Sequence, residues 1–165
     1  MFETSADLQV LQQLLDASYA RAGAHLRSIW GEETRLDADA LSTELAGVQV
    51  LDLATVTPRG EPRVAPVDGL FFRGQFWFGS AENSARFRNI RANPAVSGAI
   101  SRGLETFLVL VHGRAELPRA GGLADEAAAD LHLLRRHVRL VAEDVRPAHA
   151  ASGGSSSVVS SGSGR

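Results

Sequence analysis

The sequence contains no cysteine and no lysine. Without cysteine there are no disulfides, no thiolate nucleophile and no cysteine-bound zinc or iron–sulfur site. Without lysine, no Schiff base forms on the chain, and any ammonium–phosphate contact must be replaced by a guanidinium. All 17 basic side chains are arginines, set against 19 acidic ones for a formal charge of −2. A charge this mild gives no bulk electrostatic reason to expect nucleic acid or an anionic membrane surface. No apolar run approaches the roughly 20 residues of a membrane-spanning helix. The opening MFETSADLQV is acidic and has no apolar segment beside basic residues, unlike a secretory signal. The expectation is a soluble cytoplasmic protein with no nucleic-acid or membrane partner.

What is present is one domain's worth of chain, 165 residues, with a change of texture near residue 47. Residues 4–23 place Leu8, Leu11, Leu15, Tyr19 and Ala22 at helical spacing, with Thr4 and Asp7 as a capping box. Residues 36–47 predict a second helix, opened by Asp37 and stopped by Gly47, and 25–35 an irregular connector. From there the pattern turns to strands: 48–57, 62–72, 76–80, 95–101 and 106–117. The first is apolar at consecutive positions, as in a strand buried on both faces. Pro62 and Pro66 lack ladder donors, so the second strand must be an edge or break its ladder. A short helix over 82–93 separates the third and fourth strands, ended by Asn93-Pro94.

Past residue 122 the apolar residues Ala127, Leu131, Leu134, Val138, Val141 and Val145 are spaced four and three apart, predicting an amphipathic helix. The serine–glycine run beyond it predicts a disordered tail. The resulting organisation is an N-terminal helical segment over 1–46, a strand-rich domain with a late helix over 47–146, and a tail over 147–165. The fold class is mainly β with added helices, a small antiparallel barrel flanked by helices at both ends.

The stretch SAENSARFRNIRANP, residues 80–94, holds the chemistry. A strand ends at Gly79 and Ser80, Asn83 or Ser84 caps the next helix, and Arg86 falls in its first turn. Hydroxyls, free backbone N–H groups, the positive end of a helix dipole and a planar guanidinium form a donor set for phosphate. The plainer reading is a helix cap beside solvated arginines. Arg86 and Arg88 lie two positions apart and face different ways, so at most one of them reaches a single phosphate. A nucleic-acid surface would need a broader basic patch, and Glu82 interrupts this one.

The ordered series is ATVTPRGEPRVAPV, a hairpin ending in small residues, serine–x–arginine, asparagine–isoleucine and asparagine–proline before a further strand. Over roughly residues 45–117 it resembles the flavin-binding split-barrel superfamily of pyridoxamine 5′-phosphate oxidase. The resemblance implies a homodimer with FMN at its interface and hydride transfer to or from a small-molecule substrate; the alternatives are a deazaflavin-coenzyme-dependent reductase on the same fold or a non-catalytic flavin- or haem-binding protein. It sets Arg63 and the backbone of Val64, Ala65, Pro66 and Val67 along the flavin. It sets Gly79 and Ser80 where the family has a tyrosine–threonine pair, and Ser80, Ser84 and Arg86 at the 5′-phosphate. Two departures accompany it. Leu108 and Leu110 stand where the oxidase proper has a glutamine and an arginine, so its substrate machinery is not matched. The family's final strand is not visible in the sequence.

No general acid or base stands out, and no metal site is expected. His112, on an apolar strand, is either a haem ligand like that of some split-barrel relatives or an ordinary strand histidine. His132 and His137 are five apart, not the four of a helical metal pair, and His25 and His149 stand alone. Asp68 is either a flavin-edge partner or a turn aspartate. Trp77 and Phe72 either wall a flat ring or pack in the core or a dimer seam.

Overall fold

The computed structural model describes residues 3–103, 107–117 and 137–149. Helix α1 spans Ser5–Ala20, α2 Ala24–Ile29 and α3 Ala38–Glu44, with a single 3₁₀ turn at Glu32–Thr34. The connector expected to be irregular therefore contains α2 and that turn. The capping box is present: the Thr4 amide donates to Asp7 Oδ2 at 2.8 Å and the Asp7 amide to Thr4 Oγ1 at 3.2 Å. Asp37 caps α3 as its position suggested. Leu11 and Leu15 of α1 and Leu41 of α3 are buried in the main core.

Six strands follow: β1 (Val48–Val56), β2 (Pro62–Phe72), β3 (Gln75–Gly79), β4 (Ala95–Arg102), β5 (Phe107–Glu116) and β6 (His137–His149). Helix α4 (Ala85–Ala92) connects β3 to β4. The strands close an antiparallel barrel in the order β1-β2-β3-β6-β5-β4, with β4 returning to β1. Its interior is filled by Leu51, Leu53, Phe76, Phe78, Val109, Val111, Val138 and Leu140, among others. Trp77 and Phe72 are buried too, and the Trp77 indole donates to the Phe72 carbonyl at 3.3 Å, so both serve packing. The β2–β3 hairpin turns on Arg73 and Gly74, both with positive φ, the signature of a two-residue type I′ turn. Arg73 Nη1 lies 3.4 Å from Asp7 Oδ2 and ties the hairpin to the start of α1.

Residues 137–149 overturn the late-helix expectation and, at 147–149, the expected disordered tail: they form β6, the final strand not visible in the sequence. The part of that helix over 123–136 and the tail over 150–165 lie outside the described residues, as does His132. The misreading has a physical cause. Opposite His112 and Gly113 the register slips, because His112 pairs with Asp144 and Gly113 with Ala142, leaving Glu143 as an extra residue. Inward positions therefore run 138 and 140 before the bulge and 145 after it, and a change of parity imitates helical spacing. A Cβ on Gly113 would overlap the Val141 carbonyl, so only glycine fits opposite the bulge. Helix α1 satisfies the backbone that the bulge frees. Arg21 Nη2 donates to the Glu143 carbonyl at 2.7 Å, and the Val145 amide donates to the fully buried Ser18 Oγ at 3.0 Å.

Strand β1 also departs from expectation. Its outward face carries Val48 and Val50, 61% and 59% exposed, so one face only is buried. The reading of β2 holds: β1 pairs with its residues 62–70, whereas β3 joins only from Gly69 onward, so that among the described residues 62–68 form a free edge.

Candidate functional site

A groove of about 760 Å³ opens along this free edge, between β1, β2 and the first turns of α4. At its base lie Leu53, Thr55 and Asn89, β2 contributes Arg63, Val64 and Ala65, and the α4 side contributes Ser84, Arg86 and Arg88. The prolines of this free edge protect it. Neither Pro62 nor Pro66 supplies an N–H, so no strand can add there with a full ladder. The Pro66 carbonyl points away from β1 and accepts from Arg86 Nη2 at 3.1 Å.

Arg86 is the centre of the arrangement. Its Nη1 donates to Ser80 Oγ at 3.3 Å, and Ser80 Oγ lies 2.8 Å from Ser84 Oγ. Ser84 caps α4, accepting from the Phe87 amide at 3.2 Å. The two hydroxyls carry two hydrogens, and one is used between them. One hydroxyl hydrogen therefore remains to donate outward. The Ala85 and Arg86 amides, in the first turn of α4, lie outside the helix's own ladder. Burial pushes the Arg86 guanidinium below the ordinary arginine value, yet an arginine stays charged at working pH. A partly desolvated cation, one free hydroxyl hydrogen and two helix-start amides fit a phosphate group.

The other arginines separate as their helical positions require. Arg88 Nη1 donates to the Asn83 carbonyl at 2.7 Å, and Arg91 lies 3.4 Å from Glu82 and over the Phe87 ring. Of the sequence candidates, Arg63, Val64, Ala65, Ser84 and Arg86 line the groove, and Ser80 and Pro66 hold Arg86. The Val67 side chain belongs to the barrel core, which leaves only its backbone for a ligand. Gly79 is buried and paired with His137 of β6. Asp68 is exposed within β2 and is not a turn residue. His112 is exposed, with Nδ1 2.8 Å from Ser97 Oγ. No cluster of metal-ligating side chains occurs among the described residues.

Sequence reasoning missed one pair. Asn89 Nδ2 donates to Thr55 Oγ1 at 3.0 Å with both residues buried, and both line the groove. This bond fixes α4 to β1 one turn beyond Arg86. Its sequence signals were a polar residue on the inward face of a helix and the asparagine–isoleucine step of the ordered series, neither of which names Thr55 as the partner.

The pattern of the pyridoxamine 5′-phosphate oxidase family matches residues 38–150, from the start of α3 to just past β6. The chain belongs to this family. Its match includes the strand that the sequence pattern concealed. Solved structures agree on the family's fold. A conserved hypothetical protein of Mycobacterium tuberculosis, Rv2991, superposes with a TM-score of 0.63 at 18% identity, over 76% of this chain and 98% of that one. A FAD binding protein of Mycobacterium smegmatis gives 0.54 at 21%, over 69% and 95%. A heme binding protein of Mycobacterium smegmatis gives 0.56 at 25%, over 68% of this chain and 53% of that one. No curated protein matches the chain. Among the described residues, no helix is long and apolar enough to cross a membrane.

Proposed function

We propose that this family member is a flavin-dependent oxidoreductase. It binds FMN between two copies of the chain and moves a hydride to or from a small-molecule substrate in the cytoplasm. The observation that carries the reading is the convergence of Ser80, Ser84 and Arg86 at the start of α4, where the donor set suits a 5′-phosphate. A bound flavin supplies the hydride chemistry, and the chain supplies binding, orientation and electrostatics. Arg86, preset by Ser80 and the Pro66 carbonyl, takes the phosphate with little further ordering. Arg63 and the backbone of residues 64–67 would flank the ring system, where the guanidinium would stabilise negative charge on a reduced ring. The described residues lining the groove include no carboxylate or histidine, so the accompanying proton would come from solvent or substrate.

A second copy is favoured by the outward sheet face. Val48, Val50 and Val64, the last 70% exposed, share it, since Val64 stands opposite Ala54 in register. Exposed valines gathered on one side of a barrel mark an association surface.

The test is a titration of purified protein with FMN, followed by absorbance and by anaerobic reduction with a hydride donor. A flavin band that binds and then bleaches supports the reading, and a band that binds but is reduced by no donor limits the protein to carriage. A deazaflavin coenzyme on the same site would show as a different chromophore. A haem-carrying role is the second reading. Its support is His112, whose Nδ1 is engaged by Ser97 so that Nε2 is left for a metal. A Soret band lost in His112→Ala would favour it.

A further inference from the structure

A phosphate at Arg86 leaves part of the groove unexplained. Besides Ser84, the groove is lined by three uncharged polar side chains, Thr55, Thr57 and Asn89. Asn89 stands three residues after Arg86, one turn along α4 and on the same side of the helix. Thr57 stands two residues after Thr55, just past the end of β1. A row of amide and hydroxyl groups thus leads from the phosphate cradle toward the β1–β2 turn. Each member of the row is half used. Thr55 Oγ1 accepts from Asn89 Nδ2 at 3.0 Å, and Thr57 Oγ1 accepts from the Glu61 amide at 3.1 Å. Each hydroxyl therefore still has its hydrogen to give, and no described residue takes it. Asn89 Oδ1 likewise accepts from no described residue. Thr55 is only 4% exposed and Asn89 6%. At such burial an unmade hydrogen bond is costly unless a ligand makes it.

We propose that Thr55, Thr57 and Asn89 read the hydroxyl groups of a phosphorylated polyol whose phosphate lies at Arg86. Two hydroxyl donors and one amide acceptor suit neither an apolar chain, which offers them nothing, nor a second anion, which the Asn89 carbonyl oxygen repels. A hydroxyl both accepts and donates, so a chain of hydroxyls satisfies all three. The inference deepens the flavin reading and rests on it only for the ring: there, the polyol is the chain that joins ring to phosphate. A sugar-alcohol phosphate offers the same groups without a ring.

The experiment has two arms. In the first, FMN and an analogue whose phosphate rides on a plain pentyl chain are titrated into wild type, Thr55→Val, Thr55→Ser, Thr57→Val and Arg86→Ala. Wild type is expected to prefer FMN by at least about tenfold, the yield of a few ordinary hydrogen bonds. Each valine variant should lose about threefold or more of that preference. Thr55→Ser, which keeps the hydroxyl, should retain it, and Arg86→Ala should weaken both ligands with their ratio unmoved. Thr57→Val carries the test if Thr55→Val does not fold. A wild type that does not discriminate, or a ratio indifferent to the valines, overturns the row while leaving flavin binding intact. The second arm uses ribitol 5-phosphate and pentyl phosphate by calorimetry and needs no ring. A preference for ribitol 5-phosphate that falls in the valine variants supports the row even if FMN does not bind, an outcome that would sink the flavin reading alone. Equal binding of the two, or no binding of any polyol phosphate in either arm, overturns the row.

Discussion

Asn89 donates through Nδ2 to Thr55 Oγ1 across 34 residues of sequence, and both side chains are shut away from solvent at the base of the groove. The bond joins the helix that carries Arg86 to the strand beneath it. Losing one partner leaves a buried polar group unsatisfied, which costs about 1–3 kcal/mol. Asn89→Leu and Thr55→Val should each destabilise by that amount in urea denaturation. The double variant should cost clearly less than the sum, and strict additivity would show that the bond carries no coupling.

Arg86 should dominate phosphate recognition. Arg86→Ala is expected to weaken FMN by about 1.5–3 kcal/mol, the size of a charged hydrogen bond. Arg88→Ala, whose guanidinium serves the Asn83 carbonyl, should cost far less. Riboflavin, which lacks the phosphate, should bind wild type and Arg86→Ala alike. A riboflavin loss as large as the FMN loss would mean that Arg86 acts on the fold and not on the phosphate.

Asp7 makes stability depend on acid. Partial desolvation raises its pKa, but the Thr4 hydroxyl and amide together with Arg73 outweigh it and hold the carboxyl below its ordinary value of 3.8. A depressed folded value means that the contribution is complete above the unfolded value and drains away as pH falls through the folded one. Asp7→Asn should therefore flatten the acid limb of a stability–pH curve below about pH 4, a range set by ordinary carboxyl values. An unchanged limb would remove Asp7 from the account. Thr4→Ala, which breaks the same box, should cost about 1 kcal/mol at neutral pH.

The outward valines give an independent prediction. Val50→Asp places a charge at the centre of the exposed strip without touching the core. Light scattering should then show a smaller species than wild type with unchanged circular dichroism. The same mass for both proteins would place the association surface elsewhere or abolish it.

Gly113 admits no side chain, because a Cβ would meet the Val141 carbonyl. Gly113→Ala must push β5 from β6 at the bulge, and a destabilisation of at least about 1–3 kcal/mol is expected, the usual range for overpacking. Thermal denaturation reads it directly. A wild-type midpoint would show that the bulge relaxes freely.

Much of this molecule is written locally. The Thr4–Asp7 box, the Asp37 and Ser84 caps, the Arg73-Gly74 turn and the proline-marked edge of β2 each depend on residues close in sequence, and each was legible. The order of Ser80, Ser84 and Arg86 was legible for the same reason. What escaped depends on distant partners. Thr55 finds Asn89 only once the barrel has closed. Val48 and Val50 look like core residues because periodicity cannot tell a protein's interior from an exposed apolar face. The parity of β6 changes at Glu143, and only β5 and α1 reveal why.

That bulged strand has a consequence for how the chain reaches its native state. Its local spacing favours a helix, while its partners lie far away: β5 precedes it by some twenty residues, and Ser18 and Arg21 by more than a hundred. Strand β6 must therefore wait for a receptor built from both ends of the molecule. The five earlier strands follow one another through short connections and pair with sequence neighbours first, apart from the β4–β1 closure. The gap between β3 and β5 should be the last seam to shut during refolding and the first to part under denaturant. Amide exchange along residues 137–149 should report it, with protection at Val138 and Leu140 appearing later than at Val109 and Val111.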